Sequence, residues 1–216
     1  MHHFYKFNNF KSLYNERKFV LVALNLAFIG FFKSKKIKLN GKVFLWPDGI
    51  FSKFYKFKKK IPGSILIKKI ILSNKIDKIV VLGDSSKKIR EFLFKKFKKK
   101  IIHHQLPYAS LKEIKKRIPK INKNFLYLIT LPTPKQENVA SFIIKNNFYY
   151  KIICIGGGLK IAAGDIKDCP NIIRTLGMEF IWRLKTDSIR RLSRLFFSII
   201  LFIINFRSIY RIRFYS

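Results

Sequence analysis

Acidic residues are scarce in this sequence of 216 residues, which has 11 Asp and Glu against 46 Lys and Arg and a formal net charge of +35 at pH 7. High charge with low hydropathy would indicate disorder, but 49% of the residues are hydrophobic, which excludes that class. The length suits one domain with a sizeable core. Because Ile, Asn, Phe and Tyr, which share A/T-rich codons with Lys, are also abundant, the charge alone is weak evidence for a nucleic-acid partner.

Cysteine and histidine are also rare, with two and four residues respectively. Two cysteines exclude a disulfide framework and a four-thiolate metal site. The histidines form two adjacent pairs, His2-His3 and His103-His104, and adjacent side chains diverge on a strand or a helix. We therefore expect no metal site and a reducing, intracellular compartment.

Apolar runs long enough to span a membrane are lacking too. The run Phe19–Phe32 has 14 residues, whereas a spanning helix needs about 20. Lysines follow it at Lys33, Lys35 and Lys36, where a secretory signal would have a cleavage site of small residues. The run predicts a buried strand that turns into a helix.

The second apolar run, Leu195–Phe206, has 12 residues and lies among arginines. Eight of the 11 arginines occur from Arg174 onward, where Lys185 is the only lysine. Codon usage does not explain this change from lysine to arginine. The planar guanidinium group of arginine can bind a phosphate through two parallel hydrogen bonds, which lysine cannot do. The pattern favours a helix on an anionic membrane surface, or one that binds a lipid diphosphate there. The alternative is a final helix that packs on the core or on a second copy of the chain.

Strand-length apolar runs alternate with helical patterns, which predicts an α/β fold with a parallel sheet. The predicted strands are Phe19–Leu24, Val43–Trp46, Lys78–Leu82, Phe125–Thr130 and Lys151–Ile155, and the predicted helices are Ser64–Ser73, Ser85–Lys98 and Lys135–Asn146. Lys95–Lys100 is interpreted as a solvated helix end or loop. From Pro170 onward the pattern is helical without a further strand. We therefore expect an α/β core over residues 1–169 and a helical, membrane-associating appendage over residues 170–216.

Polar or glycine-rich clusters follow four of the predicted strands. They are Asn25, Asp48-Gly49, Thr133–Glu137 and Gly156–Gly158. Ligands of open α/β sheets bind at the carboxyl ends of strands, so these residues are candidates for a site. Each cluster also has a purely structural interpretation, as a turn or a helix start, and the glycines could serve either a diphosphate or a tight turn.

In order along the chain, these clusters resemble one known family. The matching segments are LN at 24–25, PDG at 47–49, KIPGS at 60–64, TPKQE at 133–137, GGGLKIAAG at 156–164 and CPNIIRTLGMEFIWRLKTDSIRRLSR at 169–194. Over residues 20 to about 195 the chain resembles the WecG/TagA/CpsF glycosyltransferases, glycosyltransferase family 26. The resemblance implies a Rossmann-like core with a C-terminal membrane-binding appendage. It also implies inverting transfer of an N-acetylmannosamine-type sugar from a UDP-sugar to a polyprenyl-diphosphate-linked acceptor, without a metal, at the cytoplasmic face of the plasma membrane.

The resemblance also implies roles for individual residues. Asp48 matches the aspartate expected to act as general base, Gln136 the glutamine expected at the donor sugar, and Asn25 an asparagine beside the substrate. Lys60 stands where the family usually has arginine. The other residues expected to bind substrate are Gly156, Gly157, Glu137, Glu179, Arg183, Arg190 and Arg194. The three arginines among them are expected to bind the negatively charged diphosphate of the donor or of the lipid acceptor.

The chain departs from the family pattern at Ala23, Phe51, Thr130, Pro132 and Lys160. Because the Asp, Gln and Arg positions are kept, an active glycosyltransferase is favoured over an inactive paralogue. The alternatives from other classes are a basic nucleic-acid-binding protein and a membrane-bound scaffold. The expected partners are a UDP-sugar, a polyprenyl-diphosphate acceptor and an anionic membrane, with self-association as another way to cover the apolar tail.

Overall fold

The computed structural model describes residues 4–34, 36–39, 41–48, 54–71, 78–97, 100–107, 109–175, 182, 189–204, 212 and 214–215. Strands and helices alternate along most of this chain. The strands are β1 (Phe4–Lys6), β2 (Phe19–Ala23), β3 (Val43–Trp46), β4 (Lys78–Leu82), β5 (Lys100–His104), β6 (Phe125–Ile129), β7 (Lys151–Cys154) and β8 (Phe214–Tyr215). The helices are α1 (Phe10–Asn15), α2 (Leu26–Lys33), α3 (Gly63–Ile71), α4 (Lys87–Phe97), α5 (Leu111–Lys116), α6 (Lys135–Asn146), α7 (Gly158–Ala162), α8 (Asn171–Thr175) and α9 (Ile189–Ile204).

The strands form one sheet in the order β5-β4-β6-β7-β2-β3-β1-β8, and every neighbouring pair is parallel. The five predicted strands are five consecutive strands of this sheet, from β4 to β3, and their bounds agree to within one residue. The prediction of a Rossmann-like α/β fold with a parallel sheet is therefore confirmed.

Helices cover both faces of the sheet, because alternate residues of each strand point to opposite sides. In β2, Val20 and Val22 lie in one core cluster, whereas Phe19 and Leu21 lie in the other. Buried residues of α2, α5 and α6 belong to the first cluster, and those of α1, α3, α4 and α7 to the second. Neighbouring strands β2 and β3 thus lead to helices on opposite faces, which opens a crevice at their carboxyl ends.

The apolar run Phe19–Phe32 forms β2 followed by α2, as predicted. Both elements are largely buried in the core. No helix among the described residues combines the length and the apolar character needed to cross a lipid bilayer.

The edges of the sheet were not predicted. β1 and β8 have three and two residues, too few for an apolar pattern to stand out. The expectation that no strand follows Pro170 is wrong at β8, which pairs with β1. The interpretation of Lys95–Lys100 as helix end and loop is correct for Lys95 and Lys96 but wrong for Lys100, which begins β5.

Described residues of the C-terminal segment, in α9 and in β8 among others, contact the core. Besides the β8 pairing, α9 packs across α2, where a side chain on Gly30 would lie 3.0 Å from the backbone oxygen of Ser198 and 3.2 Å from Cβ of Leu201. Glycine at that position lets the two helices approach closely, and Ser198 and Leu201 are buried in the contact. The division of the chain at Pro170 stays a prediction.

Candidate active site

The four polar clusters predicted from the sequence lie at one edge of the sheet. Asn25 follows β2, Asp48 follows β3, Gln136 lies in the first turn of α6 after β6, and Gly156 follows β7. These strands are neighbours in the order β6-β7-β2-β3. Because adjacent strands lie about 4.8 Å apart, the four positions extend over roughly 14 Å. The edge can therefore hold an elongated ligand.

Asn25 and Asp48 form a hydrogen-bonded pair. Asn25 is the N-cap of α2, and its Oδ1 accepts a hydrogen bond from the amide of Phe28 at 3.0 Å. An N-cap requires an acceptor, so the Oδ1 atom must face the helix and the Nδ2 group must face away from it. That group donates to Oδ2 of Asp48 at 3.3 Å. The start of α2 thereby orients the carboxylate.

The backbone on both sides of Asp48 is fixed as well. The Asp48 amide donates to the carbonyl of Trp46 at 2.9 Å, and the Pro47 carbonyl accepts from the amide of Ile61 at 2.7 Å. Lys60 therefore lies in the segment that is hydrogen-bonded to the Asp48 turn. Asp48 and Lys60 are both half-buried, so the carboxylate is neither enclosed in the core nor fully solvated.

Gln136 is held by Glu137, the next residue of α6, and by Thr133, which precedes the Pro134 N-cap of that helix. Its Nε2 group donates to Oγ1 of Thr133 at 3.0 Å and to Oε1 of Glu137 at 2.8 Å. The Thr133 hydroxyl itself donates to Oε1 of Glu137 at 3.0 Å. Within the described residues, the buried Oε1 of Gln136 has no hydrogen-bond partner. Gly156 is adjacent, since a Cβ there would lie 3.6 Å from that oxygen.

Glu137 is fully buried, and burial raises its pKa to about 7 against the downward influence of hydrogen bonds from its own amide, Gln136 and Thr133. Among the described residues its Oε2 atom has no partner. Burial, and secondarily the charge of Glu137, raises the pKa of the neighbouring Cys154 thiol. The sequence suggested Glu137 as a substrate contact, whereas its described contacts are to Gln136 and Thr133.

The three glycines after β7 meet different requirements. Gly156 has a φ of +53°, which favours glycine. A Cβ on Gly158 would lie 2.9 Å from the backbone of Gly63, so this glycine allows α7 to pack on α3. The amides of Gly156 and Gly158 donate to backbone carbonyls of Ile129 and Ile155. Gly157 is the one of the three whose Cβ position faces open space, so a ligand could approach its backbone.

Two departures from the family pattern are accommodated by neighbouring residues. The hydroxyl of Thr130 donates towards the carbonyls of Leu82 and Asp84, and it occupies the place that a side chain on Gly83 would need. Lys160 forms an ion pair with Asp84, which joins the start of α7 to the end of β4. Neither contact was expected from the sequence, because each joins segments remote from one another along the chain.

Four predicted site residues have no described side chain. Glu179 and Arg183 lie outside the described residues, and Arg190 and Arg194 belong to α9 but their side chains are not described. Phe51, a departure from the family pattern, also lies outside the described residues. Within the described part of the chain, no group of three His, Cys, Asp or Glu residues could hold a metal ion.

The resemblance stated from the sequence is tested by comparison with known proteins. None of the curated proteins matches the sequence. The model of the glycosyl transferase WecG/TagA/CpsF family matches residues 14–214, which is nearly the whole chain and includes every candidate site residue. This protein therefore belongs to the WecG/TagA/CpsF family of glycosyl transferases.

Proposed function

We propose that this protein is an inverting glycosyltransferase that moves an N-acetylmannosamine-type sugar from a UDP-sugar to a polyprenyl-diphosphate-linked acceptor sugar. Its family indicates a glycosyltransferase of cell-surface polysaccharide synthesis, which uses a nucleotide-sugar donor and a lipid-linked acceptor. The identity of the sugar, the uridine nucleotide and the polyprenyl chain belong to the proposal and rest on the sequence resemblance.

The observation that carries the proposal is the Asn25–Asp48 pair. Inverting transfer needs a base that takes the proton of the acceptor hydroxyl as its oxygen attacks the anomeric carbon. Asp48 is half-buried at the carboxyl edge of the sheet, and one of its oxygens accepts from Asn25. A carboxylate held on one side in this way keeps a defined direction, which a base needs in order to act on a positioned hydroxyl.

The departing nucleoside diphosphate must also be stabilised. Fixed cationic groups and backbone amides are the means by which proteins stabilise developing negative charge. We assign this task to Lys60, beside the Asp48 turn, to the Gly157 amide, and to the family-matching arginines Arg183, Arg190 and Arg194. The assignment of the arginines follows from the sequence match alone.

The membrane part of the proposal rests on α9. One side of this helix packs on α2, while Phe196, Ile203 and Ile204 are 59%, 65% and 72% exposed. Apolar side chains so exposed on one helix, which begins with several arginines, fit the interface of an anionic membrane. The ammonium group of Lys36 lies 4.5 Å from the ring centre of Phe197 and adds positive charge beside this surface. We propose that α9 binds the cytoplasmic membrane face, where a polyprenyl acceptor would lie.

Replacement of the proposed base tests the enzymatic part. The Asp48→Asn variant should keep the contact with Asn25 and bind UDP-sugar as the parent does, but its turnover should fall by a factor of about 10² to 10⁴. Asp84→Asn is the matched control, since Asp84 also follows a strand at this edge but is paired with Lys160, and it should transfer sugar at the parent rate. Transfer by Asp48→Asn at the parent rate would show that Asp48 is not the base.

A further inference from the structure

The amide of Gln136 is held in one orientation by a closed set of hydrogen bonds. Its Nε2 group contacts Oγ1 of Thr133 and Oε1 of Glu137, and the Thr133 hydroxyl contacts the same Oε1 atom. Gln136 and Glu137 lie in the first turn of α6 and Thr133 lies just before the Pro134 N-cap, so the set is local in sequence.

One assignment of donors satisfies this set when Oε1 of Glu137 carries no proton. That atom only accepts in the carboxylate, and also in the neutral acid with the proton on Oε2, so the Thr133 hydroxyl must donate its hydrogen to Glu137. Toward Gln136, the Thr133 hydroxyl oxygen can then act only as an acceptor, and the same is true of Oε1 of Glu137. Both partners of Gln136 therefore require its NH₂ group. The carbonyl oxygen of Gln136 must face the other way, next to Gly156.

We infer that Glu137 is a positioning residue which, together with Thr133, fixes Gln136 as a hydrogen-bond acceptor for the transferred sugar. This inference rests on the proposed function. It changes the role expected for Glu137 from a substrate contact to a residue that acts through Gln136.

The orientation restricts what Gln136 binds. Its Oε1 is buried without a partner among the described residues, and a buried acceptor without a hydrogen bond is unfavourable until a donor reaches it. Sugar hydroxyls and the N–H of an acetamido group are donors, whereas the oxygens of a diphosphate are acceptors. The orientation therefore excludes the diphosphate as the partner of Gln136. Of the groups that carry donors, the sugar and the nucleoside, we infer the sugar, because the sequence resemblance places the matching glutamine at the donor sugar.

The orientation can be measured without a substrate. In ¹⁵N-labelled protein, the side-chain NH₂ protons of Gln136 should exchange slowly with water, because both are hydrogen-bonded in a buried site. Glu137→Leu should accelerate this exchange at least tenfold, while Glu137→Gln, which keeps an acceptor oxygen at the same place, should preserve the protection. Equal exchange in the parent and in Glu137→Leu would overturn the inference. Thr133→Val provides a second test if Glu137→Leu does not fold.

Binding and turnover complete the test. UDP-N-acetylmannosamine and UDP should both raise the melting temperature of the parent protein. In Glu137→Leu the affinity for the UDP-sugar and kcat/KM should fall about tenfold, the loss expected for one well-placed hydrogen bond, with UDP affinity unchanged. Glu137→Gln should restore both.

The outcomes separate the two proposals. If neither nucleotide stabilises the parent and no sugar is transferred, the proposed function fails, whatever the exchange data show about Gln136. If the parent binds and transfers the sugar while Glu137→Leu matches it in affinity and kcat/KM, the positioning role fails and the function stands. A loss of affinity for UDP equal to that for the UDP-sugar would place Gln136 at the nucleotide and would also overturn the inference.

Discussion

The buried carboxyl group of Glu137 makes stability depend on pH in a direction that can be worked out. Burial raises its pKa from the ordinary 4.5 to about 7 in the folded protein. Between these values the folded state binds the proton more tightly than the unfolded state, so the free energy of unfolding must fall as pH rises. Because one pKa unit corresponds to about 1.4 kcal/mol, Glu137 lowers stability by about 3 kcal/mol above pH 7 relative to pH 4.

The Glu137→Gln variant removes this titration and keeps the acceptor for Gln136 and Thr133. Urea unfolding of both proteins, at pH steps between about 4.5 and 8, gives the difference in the free energy of unfolding. The variant should gain about 3 kcal/mol on the parent over this range, with the change complete near pH 7.5. Other titrating groups cancel in the difference because they are common to both proteins.

Cys154 is a titratable group whose pKa is raised by burial and by the charge of Glu137, so its thiol stays neutral throughout this pH range. It therefore adds no slope of its own. A difference between parent and variant that stays constant with pH would refute the argument, because it would mean that Glu137 ionises in the folded protein as it does in water.

Three further predictions concern the remaining parts of the site. Asn25→Ser should still cap α2, so its free energy of unfolding should lie within about 0.5 kcal/mol of the parent value. The variant should lose activity, because serine is too short to reach Asp48, and full activity would show that the Asn25–Asp48 pair is dispensable. Gly158→Ala should lower the free energy of unfolding in urea by about 1–3 kcal/mol, because the added methyl group would push α7 away from α3. An unchanged unfolding midpoint would contradict the close packing of these helices. Ile203→Asp should abolish flotation with anionic vesicles, whereas Phe148→Ser, a change at another exposed aromatic residue, should not; flotation of both would exclude α9 as the membrane contact.

The centre of the sheet could be predicted from the sequence because its strands are buried on both faces. β4, with the sequence KIVVL, and β6, with FLYLI, are continuous apolar runs, and such runs have few alternatives to a central strand. β5 has the sequence KIIHH and follows a lysine-rich segment. Because it has only two consecutive apolar residues between charged or polar ones, it lacks the apolar run that predicts a strand. Edge strands can be short and polar because only one side of them must pair.

The candidate site was predictable only in part. The sequence identified Asn25, Asp48, Gln136 and Gly156 as residues that follow strands, and the structure places all of them at one sheet edge. The burial of Glu137 could not be read from the sequence, because an acidic residue in the first turn of a helix is ordinarily exposed. Thr133 lies before the Pro134 N-cap of α6, so the (i, i+4) rule for helix surfaces provides no signal of its contact with Glu137.

The two amide side chains of the site are fixed with opposite polarity, and each by the start of a helix. Asn25 must turn its oxygen towards the amides of α2, so it presents a donor to Asp48. Gln136 must turn its nitrogen towards Glu137, so it presents an acceptor. The polarity of each amide is thus set before any substrate binds, and little reorganisation is needed when it does. Under the proposed roles, the donor beside Asp48 and the acceptor at the β6 end of the same edge would fit a substrate whose hydroxyls face β6 and whose attacked carbon lies near β3.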